Sequence, residues 1–246
     1  MRNYKEEFEK RVQFIRDLVS NAHVNGIVFG NSGGKDCALV GILCKAACDN
    51  TVGVLLPCAS ERNYGSDTDD GLAVAQQFGI ETRRVDLTEA RAAMLAALGE
   101  ATEITPAAIA NIAPRLRMNA LYAIAGSENC LVAGTGNRSE RYMGYFTKWG
   151  DGAFDFDPIA DLTVGEVYEF LTYLQAPRSI IEKAPSAGLF EGQTDEAEMG
   201  VSYAAIDEYI LHGTGTAQDI AVIQRYHSRN AHKLQMPAVY CESSFL

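Results

Sequence analysis

One turn in the chain carries a hydroxyl, an ammonium, a carboxylate and a thiol among glycines: Gly30-Asn31-Ser32-Gly33-Gly34-Lys35-Asp36-Cys37. A short apolar run, Gly26-Ile27-Val28-Phe29, precedes it and reads as a buried strand. Ala38-Leu39-Val40-Gly41-Ile42-Leu43 follows and reads as a buried helix. Strand, glycine turn and helix start together aim free backbone N–H groups at whatever lies above the turn. Gly33 and Gly34 have no Cβ, so the backbone can bend sharply and approach a bulky anion. Ser32 adds a hydroxyl donor. Asp36 would repel a bare phosphate but suits one that arrives with Mg²⁺. The spacing is neither that of the Walker A loop nor that of the Gly-x-Gly-x-x-Gly dinucleotide turn.

A second group lies farther along. An apolar run, residues 129–134, leads into Gly134-Thr135-Gly136-Asn137-Arg138-Ser139-Glu140. Then comes Gly144-Tyr145-Phe146-Thr147-Lys148-Trp149-Gly150-Asp151-Gly152-Ala153-Phe154-Asp155. The first run puts a hydroxyl and a carboxylate at a strand end; the second puts a lysine among glycines and aromatics. Glu140 and Asp36 could share one Mg²⁺ through oxygen ligands. Taken singly, Glu140 reads as a solvated helix-end charge, Lys148 as a surface lysine and Trp149 as core. Only the combination points to chemistry.

These residues need a frame. Periodicity predicts an amphipathic helix over 4–22, with Phe8, Val12, Ile15 and Val19 on one stripe. A strand over 26–30 and a helix over 36–49 follow. Residues 51–56 read as a second strand, then a polar loop over 57–66 and a helix over 67–78. A third strand spans 80–87 and a helix 88–98. A loop over 99–106 leads to a long helix over 107–127, which Pro114 should kink or restart. A fourth strand covers 129–134. Strands separated by helices imply right-handed crossovers and a parallel sheet covered on both faces. In such sheets ligands bind beyond the carboxyl ends of strands, where both glycine runs fall. Beyond residue 150 the strand pattern stops. Thr163 and Glu166 form a capping box for a helix over 164–175, with more helices near 178–183, 202–212 and 216–232. The expected architecture is α/β, a doubly wound parallel sheet with a helical C-terminal extension from about 156, as one domain over 1–246.

The chain has 246 residues, 47% of them hydrophobic, which supports a sizeable core. Its net charge of −11 argues against a nucleic-acid partner, since phosphate backbones need a basic face. No segment approaches the roughly 18 apolar residues of a membrane span, and the N-terminus lacks the apolar core of a signal peptide. The six cysteines form no Cys-x-x-Cys pair. They read as small buried residues in a reducing cytoplasm.

Ser32-Gly33-Gly34-Lys35-Asp36-Cys37 resembles the pyrophosphate loop of the ATP pyrophosphatases, with Cys37 where Ser or Thr is usual. Three further blocks narrow the resemblance to ammonia-dependent NAD synthetase, a family with an adenine nucleotide alpha hydrolase-like fold. They are Asn111-Ile112-Ala113-Pro114-Arg115-Leu116-Arg117-Met118, the run from Gly134 through Gly144 to Asp155, and Lys183-Ala184-Pro185-Ser186-Ala187-Gly188-Leu189 leading to Gln193-Thr194-Asp195-Glu196. They span nearly the whole chain. Gly-Tyr-Phe-Thr-Lys with Gly-Asp-Gly is highly specific; the glycine loop alone marks the superfamily. Besides Cys37, the departures are Lys35, often apolar or uncharged in relatives, Gly188, where Asp is common, and Ser202, where Thr is often found.

The resemblance implies roles. Gly30, Asn31, Ser32, Gly33, Gly34, Lys35, Asp36 and Cys37 would line the ATP phosphates. Asp36 and Glu140 would hold Mg²⁺. Thr135, Lys183 and Ser202 would contact ATP, with Arg62 near its AMP part. Arg115, Lys148, Asp155, His232 and Lys233 would contact deamido-NAD. The nicotinate carboxylate would attack the α-phosphate and expel pyrophosphate; ammonia would then attack the acyl-adenylate. Lys148 and Lys183 would offset the meeting of two anions, and Asp151 or Asp155 could bind ammonium and take a proton. No cysteine nucleophile with a glutaminase context is seen, so free ammonia is the expected nitrogen source. The family is dimeric, and the apolar helix from Asn111 to Gly126 is the expected interface, the alternative being a helix sunk in this subunit's own core. Two other readings stay open: an ATP pyrophosphatase that adenylates a different acid, and a non-catalytic nucleotide sensor.

Overall fold

The computed structural model describes residues 2–58, 66–183 and 194–240. Helix α1 (Tyr4–Ala22) is capped by Asn3, whose side chain accepts from the Glu6 N–H, and buries Val12 and Ile15. It closes at His23 in the left-handed conformation. Strand β1 (Gly26–Gly30) leads through the glycine turn into α2 (Lys35–Ala47), and β2 (Thr51–Leu55) follows. Then come α3 (Ser66–Phe78), β3 (Glu81–Arg84), α4 (Thr88–Gly99), α5 (Pro106–Glu128) and β4 (Cys130–Ala133).

The four strands form one parallel sheet in the order β3-β2-β1-β4. Its two faces are both covered. Ile27 and Phe29 point into a core shared with α1, α2 and the later helices. Val28, Val52, Val54 and Val132 point the other way, against Ala113 and Ala125 of α5. This alternation along buried strands is what two-sided covering requires. The third strand is shorter than expected and lies at the sheet edge with both ends exposed.

Two expectations need correction. Of a kink or a restart at Pro114, the restart does not occur: α5 runs from Pro106 to Glu128. The proline lacks an N–H to give, but its ring is buried against Gly150, where a Cβ would come within 2.9 Å of Pro114 Cβ. Nor do strand contacts stop at 150. Residues 155–156 run along β4, with Asp155 N–H donating to Val132 O at 2.9 Å and Gly134 N–H to Phe156 O at 2.7 Å.

The remaining elements among the described residues are helical: α6 (Arg138–Met143), α7 (Val164–Tyr173), α8 (Arg178–Ile181), α9 (Asp195–Met199), α10 (Tyr203–His212), α11 (Ala217–Asn230) and a 3-10 turn, Ala231–Lys233. The Thr163–Glu166 capping box opens α7. Val167, Phe170 and Leu171 of that helix join the core around α1 and α2, so the tail is packed onto the sheet. Helices α6 and α9 were not expected from the sequence.

Phe29, 1% exposed, fixes how close α2 comes to the sheet. A Cβ on Gly41 would lie 2.6 Å from its ring, and one on Gly53 2.9 Å. Alanine at a helical glycine usually gains up to about 1 kcal/mol. At Gly41 the clash reverses the sign. Gly41→Ala is expected to lose about 1–2 kcal/mol, the lower part of the overpacking range. A fall in urea midpoint at unchanged slope reads it; a midpoint at or above wild type would show that the ring yields freely.

Candidate active site

A cavity of about 790 Å³ opens beyond the carboxyl ends of β1, β2 and β4. Gly30, Val54 and Ala133, each at or near a strand end, line it together with Asn31, Ser32, Gly34, Lys35, Asp36 and Cys37. Such a position at strand ends is where open parallel sheets bind ligands.

The loop is braced from beneath. Buried Asn31 donates to Gly71 O at 3.0 Å and accepts from Gly33 N–H at 3.3 Å. Gly33 has φ +69°, a conformation that favours glycine. The Cys37 thiol is turned inward, onto Gly34 O at 3.1 Å and Ser32 Oγ at 3.2 Å. Burial pushes its pKa up, so it is a packed thiol and not a reactive one.

Asp36, at the start of α2 after β1, and Glu140, in α6 after β4, meet at one nitrogen. Lys35 Nζ lies 2.7 Å from Asp36 Oδ2 and 3.7 Å from Glu140 Oε1. The two oxygens are therefore at most about 6.4 Å apart. One side chain ties the Asp36 carboxylate to the backbone of Glu140. Fully buried Asn137 caps α6, accepting from Glu140 N–H at 3.0 Å through Oδ1, and donates to Asp36 Oδ1 at 3.1 Å through Nδ2. Ser139 anchors α6 from its far side by donating to Asp207, which also accepts from Gly165 N–H at 2.8 Å. Burial, with the charge of Asp36, raises Glu140 well above the usual carboxylate range, against the pull of Lys35. Lys35 feels the reverse balance: burial alone would lower it, but Asp36 and Glu140 hold it above an ordinary lysine.

Lys183 reaches the loop from beyond α8. Its Nζ lies 2.7 Å from Asp70 Oδ2 and 3.3 Å from Gly33 O. Thr135 lines the cavity beside Gly134. Of the residues expected at the acceptor end, Asp151, His232 and Lys233 also line it. Asp151 Oδ1 accepts from Thr147 N–H at 3.0 Å, and Lys233 Nζ donates to Gly144 O and Phe146 O at 2.7 and 2.8 Å.

Five expected residues are not in the lining: Gly33, Lys148, Arg115, Asp155 and Ser202. Lys148 Nζ donates to His232 O at 2.8 Å, and Arg115 donates to Lys148 O at 3.4 Å, both contacts being exposed. Asp155 is a clamp, accepting from Tyr122 OH at 3.1 Å and Val132 N–H at 2.7 Å. Ser202 caps α10 through Ala205 N–H at 3.2 Å. Arg62 and residues 184–193 lie outside the described residues.

The model of the NAD synthase family matches residues 7–237. The chain belongs to the NAD synthase family. It is 45% identical to an NH(3)-dependent NAD(+) synthetase of Carboxydothermus hydrogenoformans over 240 residues, covering 96% of this chain and 98% of that one. Among solved structures it matches an NMN synthetase from Francisella tularensis with a TM-score of 0.92 and 36% identity, over 98% of this chain and 99% of the other. An NH3-dependent NAD synthetase from Campylobacter jejuni matches with a TM-score of 0.79 and 30% identity, over 98% and 100%.

For a member of the NAD synthase family, the sequence reading missed three supports of this site: Asp70, Asn137 and Asp157. Asn137 stood in a quoted motif, and the spacing Asn-x-x-Glu was a readable capping signal. Asp157 accepts from Gly136 N–H at 3.1 Å and Ile159 N–H at 3.0 Å, and so holds the loop after β4. Burial pushes its carboxyl up to about 6, although both N–H groups and Arg141 oppose the rise. A raised folded-state pKa favours the fold below the unfolded value of 3.8, and that contribution is lost as pH rises through about 6. Carboxyl-carbon NMR is expected to show Asp157 titrating near pH 6. A midpoint near 4 would mean that the two N–H donors outweigh burial.

Proposed function

We propose that the chain joins ammonia to the nicotinate carboxylate of deamido-NAD, splitting ATP to AMP and pyrophosphate through an adenylated carboxylate. The observation that carries this reading is the convergence of Asp36, Glu140 and Lys183 on the glycine turn, in a chain of this family. The hard oxygens of Asp36 and Glu140 fit Mg²⁺, which takes one or two carboxylates and the phosphates of its substrate. Bound there, Mg²⁺ would neutralise charge that develops on the phosphates.

The chain's own residues supply the rest. Loop N–H groups at the start of α2 face the departing pyrophosphate. Lys183, fastened to Asp70, places a cation beside Gly33, where two anionic reactants must meet. Asp151 is the carboxylate in the cavity placed to bind ammonium; Asp155, spent on Tyr122 and Val132, is not. His232 and Lys233 line the acceptor end, with Lys148 and Arg115 outside the lining. Positioning and electrostatics carry such a reaction more than covalent chemistry does.

Incubation with ATP, Mg²⁺, ammonium and deamido-NAD tests this. NAD, AMP and pyrophosphate should appear in equal amounts; ADP and phosphate would overturn the central step. The fit to the Francisella tularensis NMN synthetase favours a second reading, in which the acceptor is the deamido mononucleotide. The larger kcat/KM of the two acceptors decides.

The reading extends to assembly and place. The whole chain acts as one domain, in the cytoplasm, and pairs as a homodimer. Helix α4, rich in Ala, Leu and Met, buries no residue, and Met94 is 43% exposed. Beside it Leu121, Tyr122 and Ile124 of α5 are only partly buried. Light scattering during turnover checks it, and a fully active monomer would defeat it. No helix among the described residues is long and apolar enough to cross a membrane.

A further inference from the structure

Lys35 is the first residue of α2, and nothing about the helix asks for it. A cation there opposes the helix dipole, which favours negative charge at its N-terminus. Burying an ammonium is costly unless it is paired. Yet Lys35 is only 6% exposed. Its Nζ lies against Asp36 and Glu140 at 2.7 and 3.7 Å, with the rings of Tyr203 and Tyr168 at 5.7 and 6.0 Å. The charge is held by the two carboxylates read above as the metal ligands.

The geometry points to Lys35 as a resident cation of the Asp36–Glu140 pair, one that makes metal binding conditional on nucleotide. A Mg²⁺ shared by both carboxylates would sit about 2.1 Å from an oxygen of each. The ammonium already takes a lone pair of Asp36 Oδ2 and faces Glu140 Oε1. Two cations cannot share that space without strong repulsion. A free divalent ion must therefore expel the ammonium into a pocket walled by tyrosines. An ion arriving with a triphosphate brings anionic oxygens to which the ammonium can turn. Metal and nucleotide then bind together, and the carboxylates stay neutralised between turnovers. The inference rests on the reading of Asp36 and Glu140 as metal carboxylates.

The test is Mn²⁺ titration of the nucleotide-free, full-length protein, followed by electron paramagnetic resonance. Wild type is expected to bind Mn²⁺ weakly at this pair. Lys35→Met should bind it at least about tenfold tighter, within the usual range of coupling between sites. Glu140→Gln added to Lys35→Met should abolish the gain, and Lys35→Arg, which keeps the charge, should show none. Circular dichroism confirms folding, and Lys35→Gln serves if the methionine variant fails to fold. Equal Mn²⁺ binding by wild type and the neutral variants would overturn the inference, as would a gain in Lys35→Arg. Amidation is assayed separately on wild type. Turnover without a Lys35 effect on Mn²⁺ sinks this inference alone, whereas absence of turnover sinks the reading beneath it.

Discussion

Glu140→Gln and Asp36→Asn should each lower kcat for amidation by about 10²–10³-fold, the size seen when one preorganised electrostatic contact is lost. Neither change should unfold the protein. Burial and the neighbouring Asp36 charge raise Glu140 well above the usual carboxylate range, so its ionised form is disfavoured in the fold. A raised folded-state pKa is a contribution present at low pH and lost as pH rises through it. A neutral amide in its place should therefore leave stability unchanged or higher. The cap on α6 survives Glu140→Gln, because the N–H that Asn137 accepts belongs to the backbone. The pair of readouts decides. Activity near wild type would remove Glu140 from the chemistry. Lost activity with lost stability would make it structural.

Lys183→Met should lower kcat/KM for ATP by about a hundredfold, again the size of one strong electrostatic contact. The variant also removes the ammonium from Asp70, whose side chain is 14% exposed, and should cost about 1–3 kcal/mol of stability. Asp70→Asn in the same background separates the two effects, because it removes the orphaned charge. Stability should return while activity does not. Recovery of both would mean that the lysine only neutralises Asp70. Arginine is no conservative stand-in here: its planar fork cannot take the place of a compact ammonium between Asp70 Oδ2 and Gly33 O.

The parts of this site legible in the sequence were those that are local. The run from Gly26 to Leu43 announces strand, turn and helix because apolar runs and glycines act over a few residues. The capping box at Thr163 and Glu166 is legible for the same reason. Asp36 and Glu140 could be named as a pair because both glycine runs follow strands of one sheet, but the place of Lys35 between them is a product of strand order. It is the β1–β4 pairing that brings Glu140 beside the turn, and one chain's residue types do not state which strands are neighbours. Asp70 was hidden similarly, on α3, with no pattern tying it to Lys183. Pro114 does not restart the helix because propensity weighs a helix in isolation, whereas its ring packs on Gly150 in the fold. Lys148 and Asp155 stood in the most specific motif, yet specificity of a motif does not say which side chains face the cavity and which hold its wall.

Asn137 has a consequence beyond hydrogen bonding. Its two amide ends differ, so only one orientation satisfies both a donor need at Asp36 and an acceptor need at Glu140. Turned over, the same amide would present hydrogen to hydrogen on one side and oxygen to oxygen on the other. The distance from the Asp36 carboxylate to the first turn of α6 is thereby gauged by the width of one rigid carboxamide and not by the slack of two loops. A thermal shift of the turn after β1 must drag the start of α6 with it. The starts of α2 and α6 move as one piece, already set before anything enters.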